Sequence, residues 1–405
     1  MTKVAQNIFI FLLYIYAVAI FSSLAGLTLF GNLMLPISCI LAVAAFRKGE
    51  FKLLPSQKFL LALVPWSIFT LWINGEMAGL ADELGTFNRM IVAVLAMFPL
   101  AWFLKSDGFG KHIKRLGVIF LVCVCVAHIC GIIGLYSGFT PIKQVPRVDP
   151  TRAAGLYGMA ITYGYSCQFL LLALIGLFTH HEKVRAWIPK KLLIAGIVTT
   201  VAGFILALAR GAVIGFACGL PFIFQKLSPV MFKRAVYGFA SIVAVGFIIM
   251  LIVPETNRLS WKSDSNRIRI SQYQAAYHGI QEKWLFGHGF RQFSDQVGRI
   301  KQEHDIDFKK FVGNSHNIYV EALVATGIPG LLLFFLFCYH GLREAWSLEH
   351  YLGPTIVSCW IAFLTSGVFQ TVFVDAENMY FFFALYALSS YLKLEEEAAS
   401  QKVPA

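Results

Sequence analysis

The chain has 405 residues, of which 58% are hydrophobic and 14% charged, and its formal net charge is +12. A soluble domain has about 25% charged residues, so this composition excludes an ordinary soluble protein. Many apolar runs have the ~17–25 residues that a helix needs to cross a bilayer. Because these runs are continuous rather than alternating, they exclude a β-barrel and predict an all-α polytopic membrane protein.

Twelve membrane-spanning helices are predicted. Residues 192–225 count as two short spans, because a single helix of that length would measure ~50 Å and Arg210-Gly211 interrupts the run. The predicted spans are 7–24, 27–46, 59–74, 88–104, 116–138, 154–179, 192–208, 211–225, 235–253, 317–339, 352–374 and 376–392.

The distribution of charge predicts the orientation of the spans. Lysines and arginines cluster in alternate connections and near both ends of the chain, whereas the connection 75–87 is acidic and has no Lys or Arg. Positive charge stays on the cytoplasmic side of membrane proteins. Both termini are therefore predicted to be cytoplasmic, and the positive net charge needs no nucleic-acid partner.

One connection is much longer than the others. The predicted organisation is spans 1–9 (residues 1–253), a large outer loop (254–315), and spans 10–12 with a cytoplasmic tail (316–405). Loops of this length without a purpose are uncommon, and this one carries ten Lys and Arg residues. It therefore offers a surface for an anionic ligand.

Part of this loop is predicted to be helical. An apolar stripe recurs at three- and four-residue spacing, which indicates an amphipathic helix lying across the mouth of the bundle. Asn266 is the predicted cap and places Arg267 and Arg269 in the first turn, while Gly287 and Gly289 end the helix. The stripe consists of Ile270, Tyr273, Tyr277, Ile280 and Trp284.

The polar patch Asn314-Ser315-His316-Asn317 leads directly into the tenth span. The free N–H groups and the positive dipole end of a helix make its N-terminus an anion site. The same dipole favours neutral imidazole and predicts a lowered pKa for His316. The alternative is that the patch only caps the helix and His316 is an interface residue.

Other polar residues at the predicted outer face are candidates for substrate binding. Arg210 lies between two spans, where an arginine is costly and usually functional, although it could also extend to the interface. For Arg269 and Arg152 a solvated side chain with no specific role is the alternative, whereas Asp375 could bind a sugar hydroxyl group or pair with an arginine. The remaining candidates are Asn317, Arg147 and Arg267.

Three stretches carry a resemblance to a known family. They are LARGAVIGF (208–216), NRIRISQYQAAYHGIQEKWLFGHGF (266–290) and HNIYVEALVATGIPG (316–330). Together they resemble the O-antigen ligase/O-antigen polymerase superfamily of inner-membrane glycosyltransferases, with an architecture like that of GT-C membrane glycosyltransferases. Ala209 and Trp284 depart from the family pattern, which usually has Ser or Thr and Pro there.

The resemblance implies an O-antigen ligase. Such an enzyme transfers a glycan from undecaprenyl diphosphate to a lipid A–core acceptor in lipopolysaccharide biosynthesis, at the periplasmic face of the bacterial inner membrane. The reaction is expected to be inverting, metal-independent and without a cofactor. Arg210 and Arg269 would hold the diphosphate, and His316 would be the essential histidine, acting as a base or as a phosphate ligand.

Three other functions stay open. An O-antigen polymerase would join repeat units on the lipid carrier, and a protein O-oligosaccharyltransferase would use a protein acceptor. The short connection 139–153 favours the ligase over the polymerase. A twelve-helix transporter is a rival from another class, but transporters bind near the midplane, whereas the polar groups here gather at the outer face.

Overall fold

The computed structural model describes residues 3–106, 109–140, 145–146, 151–225, 228–234, 236–238, 241, 264–308, 313–371, 373 and 375–401. These residues are almost entirely helical or irregular, apart from a two-residue ladder in which β1 (Phe139–Thr140) pairs antiparallel with β2 (Val145–Pro146). The helices are α1 (Lys3–Ala19), α2 (Leu24–Arg47), α3 (Pro55–Ile73), α4 (Leu80–Leu95), α5 (Met97–Leu104), α6 (Phe109–Ser137), α7 (Ala160–Thr179), α8 (His181–Val184), α9 (Lys190–Leu206), α10 (Arg210–Ile223), α11 (Asp264–Glu282), α12 (Phe293–Glu303), α13 (Ile318–Trp346), α14 (Gly353–Ser366) and α15 (Ala376–Ser400).

The helices are those of a polytopic membrane protein. Within the described residues, six are long and apolar enough to cross a bilayer, namely α2, α3, α6, α7, α9 and α13. A seventh is possible if α4 and α5, which bend by 41° at their junction, form one span. Three shorter apolar helices are α1, α10 and α14. The count of twelve spans and the orientation stay predictions.

The predicted spans agree with the helices in position more than in length. The ninth, 235–253, lies largely outside the described residues, and each of the other eleven overlaps a helix. In the sixth predicted span, α7 begins at Ala160 rather than at 154, and in the eleventh, α14 ends at Ser366 rather than at 374. Apolar composition continues beyond both ends, so hydropathy alone could not locate them.

α10 packs closely against α14 because two glycines on one of its faces contact that helix. A Cβ at Gly219 would lie 2.5 Å from the carbonyl oxygen of Ser358, and one at Gly215 would lie 2.9 Å from the Cβ of Ser366. Gly211, one turn earlier, faces Phe369 and Tyr165. Small residues spaced by four let the backbones of membrane helices approach. This packing fixes the end of α10 that carries Arg210.

The segment after α11 docks on a break in α13. Gly327 has a left-handed φ of 68° inside α13, which exposes backbone groups there. The amides of His288 and Gly289 donate to the carbonyls of Val324 and Ala325, each at 2.9 Å. Two of the family-like stretches therefore pair through their backbones, and this pairing attaches the segment after α11 to α13.

Candidate functional site

The N-terminus of α13 is built by the side chains that precede it. The Oδ1 of Asn317, the N-cap residue, accepts hydrogen bonds from the amides of Tyr319 at 2.9 Å and Val320 at 3.1 Å. The Oδ1 of Asn314 accepts from the amide of His316 at 3.0 Å. The prediction that this patch caps the helix is confirmed, because the side-chain oxygen of Asn317 forms the cap.

His316 is held in an unusual backbone conformation at this helix end. Its φ is 52°, in the left-handed region that non-glycine residues rarely adopt. Such conformations persist where the surroundings impose them, and they concentrate at functional sites. The conformation directs the imidazole toward the segment that follows α14, where its Nδ1 lies 3.0 Å from the Oε1 of Gln370.

The surroundings of His316 favour its neutral form. Burial lowers the pKa of His316, and the nearby Arg269 guanidinium lowers it further, while the hydrogen bond to Gln370 acts in the opposite direction. The predicted direction of this pKa shift is therefore correct, but burial is the main cause. Because Oε1 can only accept, the Nδ1 carries the proton and donates it, so the Nε2 of the neutral ring has its lone pair available.

Gln370 also links the histidine to Asp375, the residue before α15. The Gln370 side chain hydrogen-bonds to Asp375, and this contact lowers the pKa of the carboxyl group. Burial has the larger and opposite effect and raises the pKa of Asp375 to about 6. The Oδ2 of Asp375 also accepts from the Nδ2 of Asn378 at 3.3 Å. Three side chains thus form a chain from Asp375 through Gln370 to His316.

α11 brings the two predicted arginines together. The Nη2 of Arg210, at the first residue of α10, donates to the Oδ1 of Asn266 at 3.1 Å. Asn266 lies one helical turn before Arg269, whose guanidinium is close enough to His316 to affect its pKa. Asn266 is therefore not the cap that was predicted: it lies within α11, which includes Asp264, and its side-chain oxygen accepts a hydrogen bond from Arg210 instead.

Tyr165, on α7, lies at the centre of this cluster. Its ring is buried, and its hydroxyl group faces Gly211 at the start of α10. The charges of Arg269, Asp375 and Arg152 all act on this hydroxyl group. Arg210, Arg269, His316, Asp375 and Arg152 therefore belong to one region of the molecule, around the adjoining ends of α7, α10, α11, α13 and α15.

The other predicted substrate-binding arginines differ in their contacts. The Nε of Arg152 donates to the carbonyl of Ala207 at 2.8 Å and so supports the turn before Arg210. Arg267 points toward the end of the described loop, 4.0 Å from Asp307 and 5.2 Å from the ring centre of Phe308. Arg147 lies outside the described residues.

The predicted apolar stripe of α11 is mostly exposed. Ile270, Tyr273, Tyr277 and Trp284 have 50%, 36%, 59% and 54% of their surfaces accessible. Small residues on the opposite face are buried instead, including Ala275, Ala276 and Gly279. The helix packs on α12 and α13 through this small-residue face because small side chains permit close approach, which the apolar periodicity did not reveal.

One group of potential metal ligands occurs among the described residues, away from this cluster. Glu282, Glu303 and His304 have ligand atoms within 4.8 Å of one another, and all three residues are exposed. Arg299 forms ion pairs with Glu282 at 2.7 Å and Glu303 at 2.6 Å. Arg299 neutralises both carboxylates, so the proximity of these three residues is not evidence for a metal site.

Comparison with known proteins agrees with the resemblance in the three motifs. A family model described as O-antigen ligase matches residues 195–335. The match supports membership of the O-antigen ligase/polymerase superfamily. It spans Arg210, Arg269 and His316, the three residues of the cluster that the motifs contain. Members of this superfamily are membrane enzymes that transfer glycosyl groups. No curated protein matches the chain.

Proposed function

We propose that this chain is an O-antigen ligase. It transfers a glycan from undecaprenyl diphosphate to lipid A–core, at the periplasmic face of the bacterial inner membrane, with both termini in the cytoplasm. The observation that carries the proposal is the convergence of Arg210, Arg269 and His316 from three separate segments of the chain. Arg152, Arg147, Arg267 and Asn317 contribute to substrate binding or to its framework.

Two guanidinium groups suit the departure of a lipid diphosphate. Negative charge develops on the leaving diphosphate as the bond to the anomeric carbon of the sugar breaks. Arg210, on α10, donates to Asn266, which lies one helical turn before Arg269 on α11. The two guanidinium groups would therefore contact this charge from different helices. Arginine binds phosphate through paired hydrogen bonds, and such preorganised donors stabilise charge in the transition state.

His316 supplies a base for the acceptor sugar. Its Nδ1–H donates to Gln370, so Nε2 has a lone pair for the proton of the attacking hydroxyl group. The lowered pKa of His316 keeps the ring neutral near pH 7. The hydroxyl oxygen attacks the anomeric carbon opposite the diphosphate, which inverts its configuration. Positioned bases of this type contribute about 10²–10⁴-fold to rate. This geometry favours the base over a phosphate-ligand role.

Reconstituted ligation tests the proposal directly. Purified protein, lipid-linked O-antigen and rough lipopolysaccharide are combined in EDTA, and the product is resolved on a gel. We expect O-antigen to appear on the core with wild-type protein and to be nearly absent with His316→Ala. Absence of transfer by folded wild-type protein would contradict the ligase assignment.

A gene deletion separates the ligase from its rivals. Loss of a ligase leaves lipid A–core without O-antigen, whereas loss of a polymerase leaves core with one repeat unit. Loss of glycan from proteins with unchanged lipopolysaccharide would identify a protein O-oligosaccharyltransferase. A transporter predicts that the purified wild-type protein does not ligate in reconstituted membranes.

A further inference from the structure

Two arginines outside the proposed mechanism converge on a single hydroxyl group. The Nη2 of Arg89, on α4, donates to the Oγ1 of Thr86 at 2.8 Å, and the Nη1 of Arg291 donates to the same oxygen at 3.3 Å. The distance between the two nitrogen atoms therefore cannot exceed the sum of these two hydrogen-bond lengths. Like charges repel at this distance, so a close arginine pair needs compensating negative charge.

Among the described residues, one carboxylate forms an ion pair with this arginine pair. The Oε2 of Glu83, a buried carboxylate, lies 2.9 Å from the Nη1 of Arg291. Among the described residues no carboxylate forms an ion pair with Arg89, and its buried Nε has no hydrogen-bond partner there. The guanidinium carbon of Arg89 lies 6.0 Å from the ring centre of Tyr380. The Arg89 side chain also hydrogen-bonds to Tyr380, and Glu83 attracts Arg89 as well as Arg291, so one ion-paired carboxylate serves both arginines.

The arginine pair adjoins the candidate active site. One apolar cavity is lined by Arg291 together with Ile318, the first residue of α13, and Phe373. Arg291 is also close enough to Asp375 to lower the pKa of that carboxyl group. Arg291 has a left-handed φ of 61°, a conformation that is costly for a non-glycine residue. The chain therefore holds this guanidinium beside the cavity at an energetic cost.

We propose that Arg89 and Arg291 bind a phosphate group of the acceptor glycolipid. This inference rests on the proposed transferase function, in which Arg210 and Arg269 are occupied by the donor diphosphate. Paired guanidinium groups match the oxygen geometry of phosphate, and a phosphate would supply the missing negative charge. Arg291 and Ile318 line the same cavity, and Ile318 lies two residues after His316, so the arginine pair and His316 lie at the same end of α13.

The test compares phosphorylated and phosphatase-treated lipid A–core as acceptors in the reconstituted reaction, with the donor saturating. For Arg89→Gln we expect the KM for the phosphorylated acceptor to rise about tenfold, as for loss of one hydrogen bond to a charged group. The KM for the donor and the rate at saturating acceptor should stay near wild type. With the dephosphorylated acceptor, Arg89→Gln and wild type should have similar KM values.

The matched control is Arg299→Gln, which removes a positive charge from α12 without touching the arginine pair. Arg89→Lys should recover part of the affinity. Equal loss with both acceptors, or an increase in the donor KM instead, would overturn the proposal. If the KM follows the fraction of anionic phospholipid in the vesicles rather than the phosphate of the acceptor, the site holds a bulk lipid and the acceptor assignment is wrong.

Binding without turnover separates this inference from the proposed reaction. Native mass spectrometry of the intact protein with phosphorylated lipid A–core should show less bound lipid for Arg89→Gln than for wild type or Arg299→Gln. This difference is expected even if ligation itself is not observed. Equal binding by all three proteins would refute the phosphate site, whereas reduced binding without any ligation would refute only the ligase proposal.

Discussion

Replacement of Gln370 tests how His316 is made into a base. Gln370→Leu removes the acceptor for the Nδ1–H of His316, a 3.0 Å hydrogen bond within a buried site. A neutral hydrogen bond contributes about 1 kcal/mol, so loss of correct orientation should lower the rate about fivefold. The hydrogen bond to Gln370 raises the pKa of His316, so its removal lowers that pKa further.

The pH profile distinguishes this role from a general structural one. His316 is active when neutral, so activity falls as the pH drops through its pKa. In Gln370→Leu this acidic limb should move to lower pH. The maximal rate, reached above the pKa, should also be lower than in wild type. In Gln370→Glu the new carboxylate favours imidazolium, so the limb should move to higher pH. Initial rates of ligation between pH 5 and pH 8, roughly the range in which histidine titrates, provide the measurement.

A neighbouring residue supplies the control. Thr371 is buried beside Gln370, and its hydroxyl group has no hydrogen-bond partner among the described residues. Thr371→Val should therefore leave both the plateau and the acidic limb unchanged. If Gln370→Leu and Gln370→Glu shift the limb in the same direction, or leave it where wild type has it, the proposed hydrogen bond does not set the state of His316.

Three further predictions follow from the same geometry. Arg269→Ala and Arg210→Ala should each lower the ligation rate by about 10²–10³, the cost of one transition-state donor, with a smaller loss for lysine at either position; wild-type rates would contradict this role. Gly327→Ala should lower the thermal stability by at least about 1–2 kcal/mol, because the left-handed φ opposes a side chain and the new Cβ would collide with Leu285. Gly158→Ala, where nothing lies within 4 Å, is the control, and equal unfolding temperatures for the two variants would refute the strain. Burial raises the pKa of Asp375 from 3.8 to about 6, so the folded state binds this proton more tightly than the unfolded state does. Stability should then fall as the pH rises from about 4 to about 6, and thermal unfolding of Asp375→Asn should lack that part of the decrease; an identical pH dependence in wild type and variant would contradict it.

The helices were predictable because membrane helices require long apolar runs. Their ends were less predictable, since backbone contacts set some of them. The segment after Ser366 has the same apolar character as α14, yet its first carbonyl, on Gly367, accepts from the amide of Ile318 at 2.8 Å. The predicted eleventh span continued to residue 374 and thereby absorbed Gln370, which belongs to an irregular connection.

The charged members of the candidate site stood out because charge is rare in this chain. Arg210, Arg269 and His316 were visible for that reason, although their proximity depends on how α7, α10, α11 and α13 pack. Tyr165 and Gln370 were missed because an uncharged polar residue within an apolar run gives little signal. The polar interruption of the run around Gln370 was the signal available for that residue, whereas nothing in the apolar surroundings of Tyr165 distinguishes it from a core tyrosine.

A cryo-EM structure of the protein with undecaprenyl diphosphate bound tests the central claim most directly. The proposal predicts that oxygen atoms of one diphosphate lie within hydrogen-bonding distance, roughly 3 Å, of the guanidinium groups of both Arg210 and Arg269, with the His316 ring facing the same pocket. A diphosphate that contacts neither arginine, or that lies at the opposite end of the helices, would contradict it.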